Sequence, residues 1–479
     1  MEPEGEQGRG DRGETMEEER QEDLVRLLPD DALAAVLRRL APRDLAASRC
    51  VRRAWLAIID DRKLLLPHLL PRAVGGIFIN FNNFNSWEFF ARPTTGPSIS
   101  GELDFLPQYD PYGGPYVQDH CNGLLLCYHY VVNPATRRCA PVPPRPPSCD
   151  ESKMRYLYHN EYLVFDPSVS PHYEVFRIPR IMYKSKPGDF LYCYPRDELD
   201  PKFEESEWPP SSWALDVFSS KTGEWEQRLF LREGEAAGTV SDMRKASLIG
   251  QQRYATYWRG ALYVHCESDF ATKISLSNNK YQVIKPPVGI RKDIFSGLYL
   301  GKSKKGVYCT FVDHLDQDCQ LRVWILKELC GQMEWVMMHQ TNLGSILACQ
   351  KPDDGQIDGP WILRDINYRR CRRLDKDDSE KAVVQEKFEW NSDDDNILQA
   401  EGNVDGYDGY IDVLGFHPYK EVVYLGESLT RGLAYHFNNS KVQDLGSIYP
   451  TNYAQIAGQH QLIRESFPFT PCWMRDCPL

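Results

Sequence analysis

The chain has 479 residues, 42% of them hydrophobic and 12% aromatic, and a formal net charge of −12. That is enough apolar material for a sizeable core plus a small extra module, and the acidic balance argues against general binding to nucleic acid or a membrane surface. No run approaches ~18 uninterrupted apolar residues, so no segment is expected to span a bilayer.

Residues 1–23 hold ten Asp or Glu against three Arg. They fit neither a signal peptide nor a transit peptide, and they read as a disordered acidic tail. From Leu24 to Ile59 the sequence is LVRLLPDDALAAVLRRLAPRDLAASRCVRRAWLAII. Leu33, Leu37 and Leu40 recur at i, i+4 and i+7, which predicts one face of a helix. Pro29 and Asp30 suit its start, and Ala41-Pro42 stops it. Asp44 is expected to cap a second, very short helix through Leu45. Val51, Trp55, Ile58 and Ile59 then fall at i, i+4, i+7 and i+8 of a third. Arg38, Arg39, Arg43, Arg52 and Arg53 would stay in water. Three such helices cannot hide this many apolar side chains among themselves, so the segment is expected to complete its core against another protein. A fragment this small is not expected to be stable alone.

The order Leu28-Pro29, then Leu33, Leu37 and Leu40, then Pro42-x-x-Leu45, then Arg49-Cys50-Val51 and Trp55 resembles an F-box. The resemblance implies docking on a Skp-type adaptor and, through it, on a cullin and a RING-type ubiquitin ligase core. By position it implies that Leu28, Pro29, Leu33, Leu37, Leu40 and Leu45 face the adaptor. Val51 and Trp55 would partly hold the helices together and partly touch the partner. Arg52 stands where the family often has a small residue.

From about residue 72 to 479 the chain reads as short strands: GLLLCYHYVV, YLVFDP, YEVFRIP, WALDVFSS, ALYVHC, GVYCTFV, LRVWIL, EVVYLG and GLAYHF. Their β-branched and aromatic content, bounded by Gly, Pro, Asn or Ser, is a strand signal. Long amphipathic helices are absent after residue 70. A strand–turn–strand unit recurs in VVNPATRRCAPVPP, VFSSKTGEWEQRLF, ISLSNNKYQVIKPP and AYHFNNSKVQDLG, with turns near residues 135, 221, 278 and 439. The spacing from 221 to 278 suits one four-stranded blade of a β-propeller. A divergent blade around YLVFDPSVSPHYEVFRIP is expected between the first two turns, and two more between the last two. The fold class expected is therefore mainly β: a three-helix F-box over residues 24–70, then a β-propeller of six to eight blades over 72–479. HCNGLLLC (120–127), NPATRRCAPVPP (133–144), YLVFDPS (162–168) and WRGALYVHC (258–266) make this region similar to the F-box-associated, kelch-like propeller of plant F-box proteins.

Local chemistry accounts for most of the remaining motifs. Asn133-Pro134 with Thr136 makes a turn, and Gly123 and Gly260 are expected at tight reversals. Trp225, Trp258, Trp324 and Trp335 read as packing between blades. The prolines from Pro141 to Pro147 read as a rigid connection. Arg369, Arg370, Arg372 and Arg373 around Cys371 read as a solvated loop or a short nuclear-import patch. Residues 375–395, with nine acidic and three basic side chains, read as a solvated insertion. The 14 cysteines contain no C-x-x-C, so no metal site is expected. Reduced thiols in cytosol or nucleus are the expected state. No G-x-S-x-G, H-E-x-x-H, P-loop or G-x-G-x-x-G occurs. His120 beside Cys121 could suggest a nucleophile pair, but packing in a strand entry explains it. The reading is thus a non-catalytic adaptor with no cofactor: the target-recognition subunit of an SCF-type E3 ubiquitin ligase, with an unknown target protein. The alternatives are a propeller lectin or scaffold acting outside the ligase, and a kelch-type oxidase, for which a Tyr–His–Cys copper cluster is not evident.

Overall fold

The computed structural model describes residues 28–93, 99–107, 116–145, 157–182, 200–245, 254–288, 298–314, 319–329, 331–347, 359–369, 397–398, 407, 409–474 and 477–479. The acidic tail and the 375–395 segment lie outside the described residues, as do Arg370, Arg372 and Arg373. The chain divides into two compact units, Met1–Leu70 and Pro71–Leu479.

The first unit contains helices Asp30–Leu37, Pro42–Ser48, Arg53–Asp61 and Leu66–Leu69. The first helix starts after Pro29, whose carbonyl accepts from the Leu33 amide at 3.0 Å. Neither Asp30 nor Asp44 caps a helix with its side chain. The second helix instead opens on Pro42, where the missing N–H costs nothing, and Asp44 lies inside its first turn. Val51 precedes the third helix rather than starting it. Leu33, Ala34 and Leu37 point inward with Leu45, Ile58, Ile59 and Leu64, and Leu40, Trp55 and Leu65 pack around them half-buried. Ion pairs Arg49–Asp60 at 2.8 Å and Arg62–Asp31 at 2.5 Å run over the outside. Being exposed, they contribute little.

The second unit is mainly β. Its strands begin with β1 (Gly76–Phe81) and β2 (Glu88–Ala91). A four-stranded meander follows: β3 (Val117–Cys121), β4 (Leu124–Cys127), β5 (Tyr130–Asn133) and β6 (Arg138–Pro141). Then come β7 (Leu157–Phe165), β8 (Tyr173–Ile181), β9 (Glu207–Trp208), β10 (Ser212–Ser219), β11 (Glu224–Glu233) and β12 (Gly238–Thr239). The next four, β13 (Ala255–Trp258), β14 (Ala261–His265), β15 (Ala271–Ser275) and β16 (Lys280–Ile284), form another meander. So do β17 (Tyr299–Ser303), β18 (Gly306–Asp313), β19 (Gln320–Leu329) and β20 (Gln332–Asn342). Last are β21 (Ile362–Leu363), β22 (Ile397–Leu398), β23 (Ile411–Phe416), β24 (Val422–Glu427), β25 (Arg431–His436), β26 (Lys441–Ser447) and β27 (Ile463–Phe469). Among the described residues no helix after residue 70 exceeds six residues.

Two pairings organise these strands. The last long strand, β27, pairs antiparallel with the first, β1, placing Phe78 opposite Phe467. In addition, β11 pairs in parallel with β16 and joins two meanders into one eight-stranded sheet, β13-β14-β15-β16-β11-β10-β8-β7. The two edges of that sheet, β7 and β13, approach each other. The YLVFDP and YEVFRIP segments are β7 and β8, which share a sheet with β10 and β11. They therefore complete the group that ends at the 221 turn and do not form a separate one. What lengthens this interval is the connection from β8 to β10.

Each described core is shared by two groups of strands. Phe78 and Phe89 pack with Leu125 and Val132. Phe176 and Ile178 pack with Leu262 and Ile274. Tyr263 packs with Leu300 and Trp324, with Trp258 and Trp335 at the edge. Tyr308 and Val323 pack with Leu425 and Tyr435. Leu414 and Tyr424 return to Ile77 and Phe90. The turns near 135, 221, 278 and 439 each connect two antiparallel neighbours. At the first of them Asn133 Oδ1 accepts from the Ala135 and Thr136 amides at 3.0 and 3.3 Å. Trp225 lies off these cores, half-buried against Phe218, with its indole N–H donating to the Pro143 carbonyl at 2.7 Å.

Candidate functional site

Edge strands of the sheets contact one another: β3 with β7, β13 with β3, β7 and β17, then β17 with β23 and β23 with β27. Where they converge they enclose a cavity lined from β3, β13, β17, β23 and β27. Positions facing such a centre are expected to be apolar, because a charge loses its water there. Instead Gln118, Asp119, His120, Lys302 and Glu465 line it beside Trp87, Tyr254, Tyr299, Phe416 and Phe467.

Two tight reversals hold this arrangement. Asn122-Gly123 joins β3 to β4 with φ of 46° and 91°, the pair of positive values that a two-residue hairpin requires. A Cβ on Gly123 would lie 2.6 Å from Cys472 Cβ and 2.6 Å from the Thr470 carbonyl, so only glycine fits. Arg259-Gly260 joins β13 to β14 with φ of 45° and 77°. The first reversal also aims Asn122: its Nδ2 donates to the Phe165 carbonyl at 2.6 Å, and its Oδ1 accepts from Lys302 Nζ at 2.6 Å.

The electrostatics follow from enclosure. Burial pushes the Asp119 carboxyl up to about 8, opposed by the Leu163 amide that donates to Oδ2 at 2.7 Å. Burial also raises Glu465 to about 7 and Asp412, on β23, to about 7. Desolvation lowers Lys302 from the usual ammonium value. His120 stacks on Phe467 with ring centroids 4.1 Å apart, and burial, aided by Lys302, drops it to about 3. Cys121 is pushed up to about 12, and its thiol donates to the Phe165 carbonyl at 3.4 Å. A neutral imidazole beside a protonated thiol is a packing pair, not an activated nucleophile. Among the described residues no group of three His, Cys, Asp or Glu is placed to hold a metal, and no helix is long and apolar enough to cross a membrane.

The residues that the sequence assigned to an adaptor divide into three sets. Leu28 is 41% exposed and Val51 59% exposed, and Pro29 is exposed too. Leu40 and Trp55 are half-buried. Leu33, Leu37 and Leu45 are 7%, 1% and 0% exposed, turned toward Ile58 and Ile59. The i, i+4 face expected to meet a partner thus packs within its own unit. Among the described residues of this unit the large apolar side chains left exposed are Leu28, Val36, Val51 and Leu56. Of the cavity residues His120, Cys121 and Asn122 drew notice, as strand packing only, and Asp119, Lys302 and Glu465 did not, although QDHCN, LGKS and RESF each set charged or polar groups inside strand-like runs.

No family model matches the chain. It is similar to an F-box protein of Arabidopsis thaliana, 26% identical over 128 residues, which cover 24% of this chain and 30% of that protein. The chain therefore matches under a third of that relative's length.

Proposed function

We propose that the chain is the target-recognition subunit of an SCF-type E3 ubiquitin ligase. Its helical unit would be an F-box docking on a Skp-type adaptor and through it on a cullin. Its β unit would be a six-bladed, kelch-like propeller that binds the target protein. The observation that carries this reading is the helical unit itself, which keeps Leu28, Val36, Val51 and Leu56 in water after closing a core of its own. A protein partner would cover these groups, and the similarity to an F-box protein gives that partner its class. Leu28, Pro29 and Val51 would touch the adaptor directly. Leu33, Leu37, Leu40, Leu45 and Trp55 would hold the helices in the docking geometry. The propeller reading is supported by six successive strand groups, by cores shared between neighbouring groups, the last of them with the first, and by the β1–β27 pairing that closes the series. The contribution to ubiquitin transfer would be proximity: holding the target beside the charged enzyme raises its effective concentration.

The test is affinity purification of the full chain and of a form lacking residues 24–70, each with and without proteasome inhibition. The expected result is adaptor and cullin with the full chain alone, and a set of proteins enriched on inhibition and retained by both forms. Adaptor without cullin would move the reading to a scaffold outside the ligase. Neither adaptor nor cullin would end it.

A further inference from the structure

The central cavity has a chemical bias that target binding in general does not explain. One buried acceptor on its wall is unspent. Gln118 Oε1 is buried with no hydrogen-bond partner. Asp119 accepts from the Leu163 amide at 2.7 Å, and Glu465 accepts from the Tyr116 hydroxyl at 3.4 Å. No cation offsets the burial of Asp119, whereas the charge of Arg464 partly offsets that of Glu465. The one ammonium lining the cavity, Lys302 Nζ, donates to Asn122 Oδ1 at 2.6 Å and to the Tyr257 carbonyl at 3.3 Å. Aromatic rings form much of the remaining wall, with Tyr254 tilted against Tyr299 at 4.0 Å and His120 stacked on Phe467 at 4.1 Å. Tyr116, 55% exposed, marks the solvent side next to Glu465.

We propose that this cavity receives an organic cation, the ammonium of a lysine or the guanidinium of an arginine, presented by the bound target. The proposal deepens the reading of the β unit as the target-binding part and rests on it. An apolar ligand would leave Gln118 Oε1 buried without a donor, and a carboxylate ligand would bring only further acceptors to it. An ammonium brings three donors and a guanidinium five, and both are attracted to aromatic faces. Burial raises both the Asp119 and Glu465 carboxyls, the latter against the opposing charge of Arg464. The entering cation supplies counter-charge to both.

The test uses the full chain and ligand-observed NMR titration with n-butylammonium, methylguanidinium, butyramide and butyrate. Both cations are expected to saturate at roughly millimolar concentration, with butyramide and butyrate at least about tenfold weaker. The stronger of the two cations identifies lysine or arginine as the source. The isosteric pair Asp119→Asn with Glu465→Gln is expected to weaken the cations by about tenfold or more, with the circular dichroism spectrum unchanged. No saturable cation binding by the wild type, or butyrate or butyramide binding as well as the cations, would overturn the proposal, and this comparison stands even if the variant misfolds. Cation affinity unchanged in a folded variant would also overturn it. Adaptor binding plays no part in this titration, so failure here and failure of the ligase reading are separable.

Discussion

Asp119→Asn isolates the energetic consequence of a carboxyl held in the cavity. The substitution keeps an acceptor oxygen for the Leu163 amide, which Asp119 Oδ2 binds at 2.7 Å, and removes a group that burial has raised to about 8. In an unfolded chain an aspartate titrates near ~3.9. Between those values the folded protein keeps a proton that the unfolded chain has lost, so stability falls as pH rises. The contribution is fully present below the unfolded value and is lost as pH climbs through the folded one. The slope from one such group is about 1.4 kcal/mol per pH unit, which accumulates to several kcal/mol across the window. Glu465 and Asp412, both raised to about 7, add slopes of the same sign. The assay is urea unfolding followed by tryptophan fluorescence at several values between about pH 5 and about pH 8. Wild type is expected to weaken steadily with pH. The Asn variant should weaken less steeply, so that its advantage grows with every unit. Parallel curves, or a wild type that strengthens as pH rises, would refute the reasoning.

Two further outcomes are expected. Leu37→Ala, at a side chain 1% exposed in the helical unit, should cost about 2–5 kcal/mol, enough to melt that unit, as seen by faster proteolysis between residues 28 and 70 with the β unit intact. Gly123→Ala should lower the unfolding midpoint of the β unit far more than Gly260→Ala. Both positions carry positive φ, but only at Gly123 does a Cβ meet other atoms; equal losses at the two glycines would contradict the packing described around Cys472.

Turns were the most legible part of the β unit, because their chemistry is local. Asn133, Lys221-Thr222-Gly223, Asn278-Asn279 and Asn438-Asn439 reverse the chain through their own side chains and φ preferences, and each falls between paired strands. Strand grouping was less legible: β7 and β8 read as a group of their own because nothing local reveals that β10 pairs with β8 across a long connection. Helical periodicity identified the face formed by Leu33 and Leu37 but could not say what covers it, and Ile58 and Ile59 do so within the unit. The cavity was not legible at all. Asp119, Lys302 and Glu465 come from distant parts of the chain, and one charged residue in one strand resembles any solvated position until closure brings the three together.

The claim on which the functional account depends is that the helical unit binds a Skp-type adaptor through the apolar side chains it leaves in water. Isothermal titration of the full chain with a purified Skp-type adaptor measures this directly. The account expects a one-to-one complex of micromolar affinity or tighter, weakened at least about tenfold by Leu28→Asp with Val51→Asp, two exposed positions where folding should be unaffected. No detectable complex, or a folded double variant that binds as well as the wild type, would contradict it.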